Sequence, residues 1–421
     1  MPALALITAI SIFALSGLNT VPFHPDESTH LFTSADFETL ISHPAALGWQ
    51  AARQDDPRQR YRLLDAPLMS LLPGLGRRAT GLPALPSDWD WSRTWEENAA
   101  AGALPSSSLL TAGRAAITLL LPLTLWLLYL SGYALGGRRV GLVSVLLLGL
   151  NPLALLHARR IMGEGALLFG VSFVLWVLLA APRRHRVWLL GLALGLAINA
   201  KQTALALLPL VLWADGRPPL AMPRLKASIS RALLCLATIL MLTALLNPVY
   251  GRQPAAALRD AVRLRAELAA RQSADIARLT PGAWLDSPAK RLIALTGNLF
   301  IVPPQFAETG NYTAETAEAE QVYLSNPLHD WGRGLGGGAF FLALTLLGMG
   351  RAAREIWKGR AALGETRHTQ NLVWLWGATA LQGGALLLMI PIPWQRYVIP
   401  LLPMTVLWQA YALHPPKSKQ P

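Results

Sequence analysis

A bilayer core takes about 20 apolar residues of helix, and the apolar residues of this chain gather into runs near that length. They lie at 3–21, 109–133, 139–156, 165–181, 187–214, 232–247, 335–350, 372–390 and 397–413. In hydrocarbon every backbone N–H and C=O must be bonded within its own segment unless a barrel closes, so such runs predict an all-α polytopic membrane protein. The 187–214 run is too long for one span and short for two, and Asn199-Ala200-Lys201-Gln202 interrupts it. Taken as a broken pair that enters and returns, it brings the expectation to ten transmembrane helices in a single integral-membrane domain over 1–421. The first run has no Lys or Arg before it and no clear small-x-small site before Pro22, so it is expected to stay as a span rather than be cleaved.

Two long polar segments, 22–108 and 248–334, separate these runs. In the first, Trp49, Trp89, Trp91, Trp95 and the Leu-Met-Ser-Leu-Leu stretch at 68–72 predict short helices lying at the membrane interface, although tryptophans in a folded loop would look the same. In the second, the Ala/Leu/Arg pattern from Ala255 to Ala270 predicts an amphipathic surface helix. The formal net charge of +13 could serve nucleic acid. Lys and Arg are instead spread through loops between spans, where anionic lipid or a phosphate ligand is the expected partner, and no nucleic acid. The basic segments 136–139, 182–186, 215–231, 351–371 and 414–419 mark the cytoplasmic side, which puts both chain ends inside and the two long loops outside. Arg-rich 252–291 lies in a loop longer than the range over which that rule is counted. The single cysteine, Cys235, sits in an apolar run; it excludes an intrachain disulfide and is expected to pack.

Just past the first run stands Phe23-His24-Pro25-Asp26-Glu27-Ser28-Thr29-His30. Adjacent carboxylates at the end of a span repel and lose solvation, which raises the pKa of at least one of them, as a proton acceptor requires. Equally, acids directly after a proline suit the first turn of a helix. On the topology above, Arg159, Glu164, Lys201 and Arg396, the last within Pro393-Trp394-Gln395-Arg396-Tyr397, fall at external span ends too. Each has a local reading: Glu164 as a first-turn acid, Lys201 as a snorkelling lysine, Arg396 with Trp394 and Tyr397 as an interface anchor. Their agreement on one face favours a shared cleft. There Asp26, Glu27 and Glu164 are the candidate catalytic acids, able to take a proton from a hydroxyl, and Lys201, Arg396 and Arg159 are the candidate cations for a phosphate leaving group. His24 and His30 are candidates for contact with an acceptor or a divalent cation; the absence of His-Glu-x-x-His counts against a metal-dependent hydrolase, while a bound divalent cation stays open.

In this order and topology the residues resemble the C-type membrane glycosyltransferases that use polyprenyl-phosphate sugars, the group of the protein O-mannosyltransferases and the lipid A aminoarabinose transferase. Asp26-Glu27 resembles the acidic pair of the family's first external loop, which the resemblance makes the general base. Ala66-Pro67-Leu68 looks like the later Pro-Pro-Leu stretch of that loop, with Ala66 in place of the first proline. Arg114, the run to Gly136-Gly137-Arg138-Arg139, Asn151-Pro152 and Ala158-Arg159-Arg160 are similar to the second and third spans. Arg159 and Glu164 keep the spacing of an Arg-x-x-x-x-Asp element with Glu for Asp; Lys201 resembles the lysine after the fifth span; Arg396-Tyr397-Val398-Ile399-Pro400-Leu401-Leu402-Pro403 resembles an Arg-Tyr-(apolar)-Pro-x-x-Pro element. Without a counterpart in this sequence to the large C-terminal soluble domain of some relatives, the chain is expected to be a compact catalytic membrane unit.

The resemblance implies a glycosyltransferase: inverting transfer of a sugar from an undecaprenyl- or dolichyl-phosphate carrier to a hydroxyl on lipid, glycan or protein, at the external face of the cell membrane. The alternative is a transporter or flippase for lipid-linked sugars, which would share the cations and the interrupted 187–214 run but lacks charges at span centres. A metal-dependent hydrolase ranks third.

Overall fold

Proline opens many of the helices. Its fixed φ suits the first turn, and the N–H it lacks would have no partner there; Pro2, Pro25, Pro57, Pro152, Pro254 and Pro288 all stand in such positions. The computed structural model describes residues 1–213, 222–307, 310–359, 366–390 and 392–414, and among the described residues regular structure is helical with no strand. The first apolar run gives α1 (Pro2–Ser16), and the first polar segment breaks into short helices, α2 (Pro25–Thr33), α3 (Asp36–Ser42), α4 (Pro57–Leu64), α5 (Leu68–Ala79) and α6 (Trp95–Ala100). The apolar middle holds α7 (Ser107–Thr118), α8 (Leu120–Gly149), α9 (Pro152–Ala158), α10 (Gly163–Leu179), α11 (Arg186–Ala200), α12 (Leu208–Trp213) and α13 (Met222–Leu246). The second polar segment carries α14 (Pro254–Leu279), α15 (Pro288–Thr296) and α16 (Thr313–Leu324), and the chain closes with α17 (Gly334–Lys358), α18 (Arg367–Met389) and α19 (Leu402–Leu413). The expected surface helix is thus α14, longer at both ends than its Ala/Leu/Arg pattern.

Among the described residues four helical stretches are long and apolar enough to cross a bilayer: Ser107–Gly149, Ser228–Leu246, Gly334–Lys358 and Arg367–Met389. With α9 and α10, bent by 116° at their junction, counted as one broken span, they become five. By length and composition these helices are compatible with an α-helical membrane protein. Large apolar side chains such as Leu123, Leu240, Leu245, Phe340, Leu346 and Met389 stand exposed on these helices, as lipid contact requires and water does not favour. The other runs expected to span form shorter helices. The run 397–413 is a 3₁₀ turn, Gln395–Leu401, followed by α19, and α19 is buried from Leu402 to Ala412. It is a core helix enclosed by α8, α10, α17 and α18.

Two breaks shape the bundle. In α8, Gly136 and Gly137 leave helical geometry, Gly137 at φ 79°, a conformation that only glycine adopts freely. The chain folds back there, so that a Cβ on Gly132 would lie 2.9 Å from the Cα of Gly141. The basic turn separating runs 109–133 and 139–156 is therefore a real reversal. At Lys201, φ −161° and ψ 131° end α11, and the chain continues as a 3₁₀ turn, Gln202–Leu207, into α12. The interruption at Asn199–Gln202 is that break.

Candidate functional site

The site is built at the start of α2. His24 is the N-cap: its Nδ1 accepts the Asp26 N–H (3.1 Å), while its own N–H is donated to Glu27 Oε2 (3.1 Å). This capping box satisfies two orphan donors of the helix and fixes Asp26 and Glu27 in its first turn, so the local reading of these acids also holds. Glu27 is fully buried and receives Arg114 Nε at 2.8 Å, Arg114 Nη2 at 2.7 Å and the Ile161 N–H at 3.0 Å. Burial alone would push this carboxyl up, but the charge and hydrogen bonds of Arg114, with Arg160 and the Ile161 N–H, hold it below the usual carboxylate range. Arg114 also donates to the carbonyls of Leu18 and Val21 at 2.7 and 2.8 Å. One buried pair thus ties the end of the first helix, α2, α7 and the α9–α10 turn together. Removing one member of such a pair leaves an uncompensated charge and costs about 3–5 kcal/mol.

Asp26 turns the other way. Its Oδ2 accepts Arg396 Nη1 at 2.6 Å, with a quarter of its side chain still exposed. Burial would raise this carboxyl too; His24 and Arg396 oppose it, and the Arg396 guanidinium, which stays charged when His24 is neutral, holds it well below the usual range. Arg396 lies 4.8 Å over the Trp394 ring. Alongside, Glu164 at the start of α10 pairs with Lys201 at the α11 break, and Lys201 lies 5.5 Å over Tyr397. Arg396 is the hub, since its charge reaches His24, Asp26, Asp65, His157 and Glu164. Residues from five distant segments of the chain therefore meet in one cluster.

Arg159 is not brought to it. Its guanidinium donates to Ala14 O (2.9 Å) and Phe13 O (2.7 Å) and meets His329 Nε2 at 2.9 Å. Gly17 makes room for it, since a Cβ there would stand 2.6 Å from Cζ. Its neighbour Arg160 faces the site instead, donating to Pro22 O and Phe306 O and adding charge near His24 and Glu27. The inward arginine is one position later than expected, because the bend between α9 and α10 sets which of the two faces in.

No family model, curated protein or solved structure matches this chain.

His30 lines a cleft beside the cluster, together with Tyr61, Asp65, Leu71 and Asn247. His24 is committed to its cap, and burial takes its imidazole down to about 4. Among the described residues no group of three or more His, Cys, Asp or Glu could hold a metal ion, so His24, His30 and the acids do not converge as a ligand set. Two further acids escaped sequence reasoning. Asp88 accepts Thr29 Oγ1 at 2.7 Å, Tyr61 Oη at 2.5 Å and the Trp89 N–H at 2.8 Å, which braces α2 against the loop. Asp65 lies in the cleft, its carboxyl raised by burial. It immediately precedes the Ala66-Pro67-Leu68 element, which was its only signal.

Proposed function

We propose that the protein transfers a sugar from a polyprenyl-phosphate carrier to a hydroxyl acceptor, with inversion, at the external face of a membrane that the chain crosses ten times. The observation that carries this reading is the pairing of Asp26 with Arg396 next to the pairing of Glu164 with Lys201. Each carboxylate is held by a cation of the kind that binds phosphate. When the carrier phosphate engages Arg396, Asp26 loses its partner and becomes more basic. It then takes the proton of the acceptor hydroxyl. The acceptor oxygen forms its bond to the anomeric carbon from the side opposite the phosphate, and the bond to the phosphate oxygen breaks. The polyprenyl phosphate leaves with that electron pair, its charge stabilised by Arg396 and Lys201. Glu27, committed to Arg114, holds the first turn of α2 that presents Asp26; Glu164 holds Lys201 until phosphate arrives. Arg159 secures the end of α1, and Arg160 takes the inward place.

The helix break at Lys201 favours the second reading, a transporter of lipid-linked sugars. The two part in one assay. The full chain is placed in vesicles with radiolabelled undecaprenyl- and dolichyl-phosphate sugars and a panel of hydroxyl acceptors. Transfer releases free polyprenyl phosphate and moves label to an acceptor, whereas transport carries intact donor across the bilayer and cleaves nothing.

A further inference from the structure

One buried side chain in this cluster has no part in that scheme. His157 stands in the last turn of α9 at 2% exposure, and neither of its ring nitrogens has a hydrogen-bond partner among the described residues. An imidazole in any charge state carries at least one N–H. A buried donor left without an acceptor costs about 1–3 kcal/mol, and buried polar groups of this kind are satisfied in the great majority of proteins. The surroundings define the missing acceptor. Arg160, Lys201 and Arg396 lie within electrostatic reach of the ring, with Glu164 as the one acid, and Glu164 is engaged by Lys201. The turn that carries Arg396 packs directly on α9. A buried donor among three cations selects an anion with several acceptor oxygens, and a phosphate monoester has that form.

We infer that His157 is an N–H donor to the phosphate of the lipid carrier, completing with Arg396 and Lys201 a three-sided cradle that forms when the phosphate draws the two cations from Asp26 and Glu164. The inference rests on the carrier reading above and adds a residue to it. It makes His157 a binding residue, selective for the phosphate and indifferent to the sugar and the acceptor.

The test uses the full chain in nanodiscs with undecaprenyl phosphate as the probe and inorganic phosphate as the comparison. His157→Leu should weaken undecaprenyl phosphate binding on the order of tenfold or more, the loss of one hydrogen bond to a charged group. His157→Gln, which keeps an N–H, should stay within about threefold of the unaltered protein. As a readout that packing alone would not move, the protein is labelled with ¹⁵N in its histidine rings, and the His157 signal is identified by its loss in His157→Gln. Adding undecaprenyl phosphate should shift that signal, with inorganic phosphate doing so only at far higher concentration. Equal binding by the Leu variant, or an unmoved ring signal under saturating undecaprenyl phosphate, overturns the inference even if the Leu variant folds poorly. A shift produced equally well by inorganic phosphate overturns its assignment to the lipid carrier. Absence of undecaprenyl phosphate binding to the unaltered protein removes the carrier reading itself, a separate outcome.

Discussion

His24 has a consequence for pH that a surface histidine would not have. Burial lowers its imidazole to about 4, helped by Arg160 and Arg396 and opposed by Asp26 and Glu27, while in the unfolded chain it titrates near 6.5. Between those values the unfolded state binds a proton that the folded state does not. Stability therefore falls as pH drops through that window, by up to about 1.4 kcal/mol per pH unit. Asp26 and Glu27 are depressed instead, so their contribution is kept above the ordinary carboxylate range and lost only below it. His24→Asn retains an N-cap acceptor without a titrating ring. Thermal unfolding in detergent should show the unaltered protein losing stability from pH 7 to 5 more steeply than His24→Asn. Parallel curves would mean that His24 is solvated in the folded protein. At this scale the sequence displayed the residue types but not their partners. Asp26 and Glu27 are neighbours in the chain, yet helix geometry turns one to Arg396 and the other to Arg114, and spacing alone could not divide them. His157 gave no signal at all, because an unsatisfied nitrogen is a property of the packed interior.

Among the elements, periodicity and breakers were read most directly where a break has a backbone cause. Gly136-Gly137 and the interruption at Lys201 were both visible, since glycine at positive φ and a polar insertion into an apolar run act locally. The central place of α19 was not legible in the sequence, because an apolar run looks the same whether lipid or protein surrounds it. Only the packing of α8, α10, α17 and α18 around it makes it core. The proposed sidedness is tested on the loops between elements. Cys235 is buried and is the only native cysteine, so single cysteines can be introduced against a quiet background at exposed Ser92, Ser325, Arg139 and Arg183. In sealed, oriented membranes an impermeant thiol reagent outside should label the variants at 92 and 325 but not those at 139 and 183. The opposite pattern would place the cluster on the cytoplasmic side.

Taken whole, the molecule uses its bundle to gather charges that the chain keeps far apart: Asp26 and Arg396 are 370 residues apart in sequence and 2.6 Å apart in space. The order of the acidic and basic elements along the chain was legible because each lies at the end of an apolar run. Their convergence was legible only as agreement on one face, since which ends meet depends on how the nine apolar runs pack. The central claim is that Asp26, released from Arg396 by the carrier phosphate, is the base. A positioned carboxylate typically contributes about 10² to 10⁴ in rate, and Asp26→Asn keeps its size and much of its hydrogen bonding while losing the ability to take the proton. The most direct measurement is single-turnover transfer from a radiolabelled polyprenyl-phosphate sugar by purified protein in lipid, with donor binding measured on the same samples. Asp26→Asn should bind the donor and lose turnover by about 10² to 10⁴, with a smaller loss for Glu27→Gln; turnover by Asp26→Asn at the unaltered rate would contradict the account.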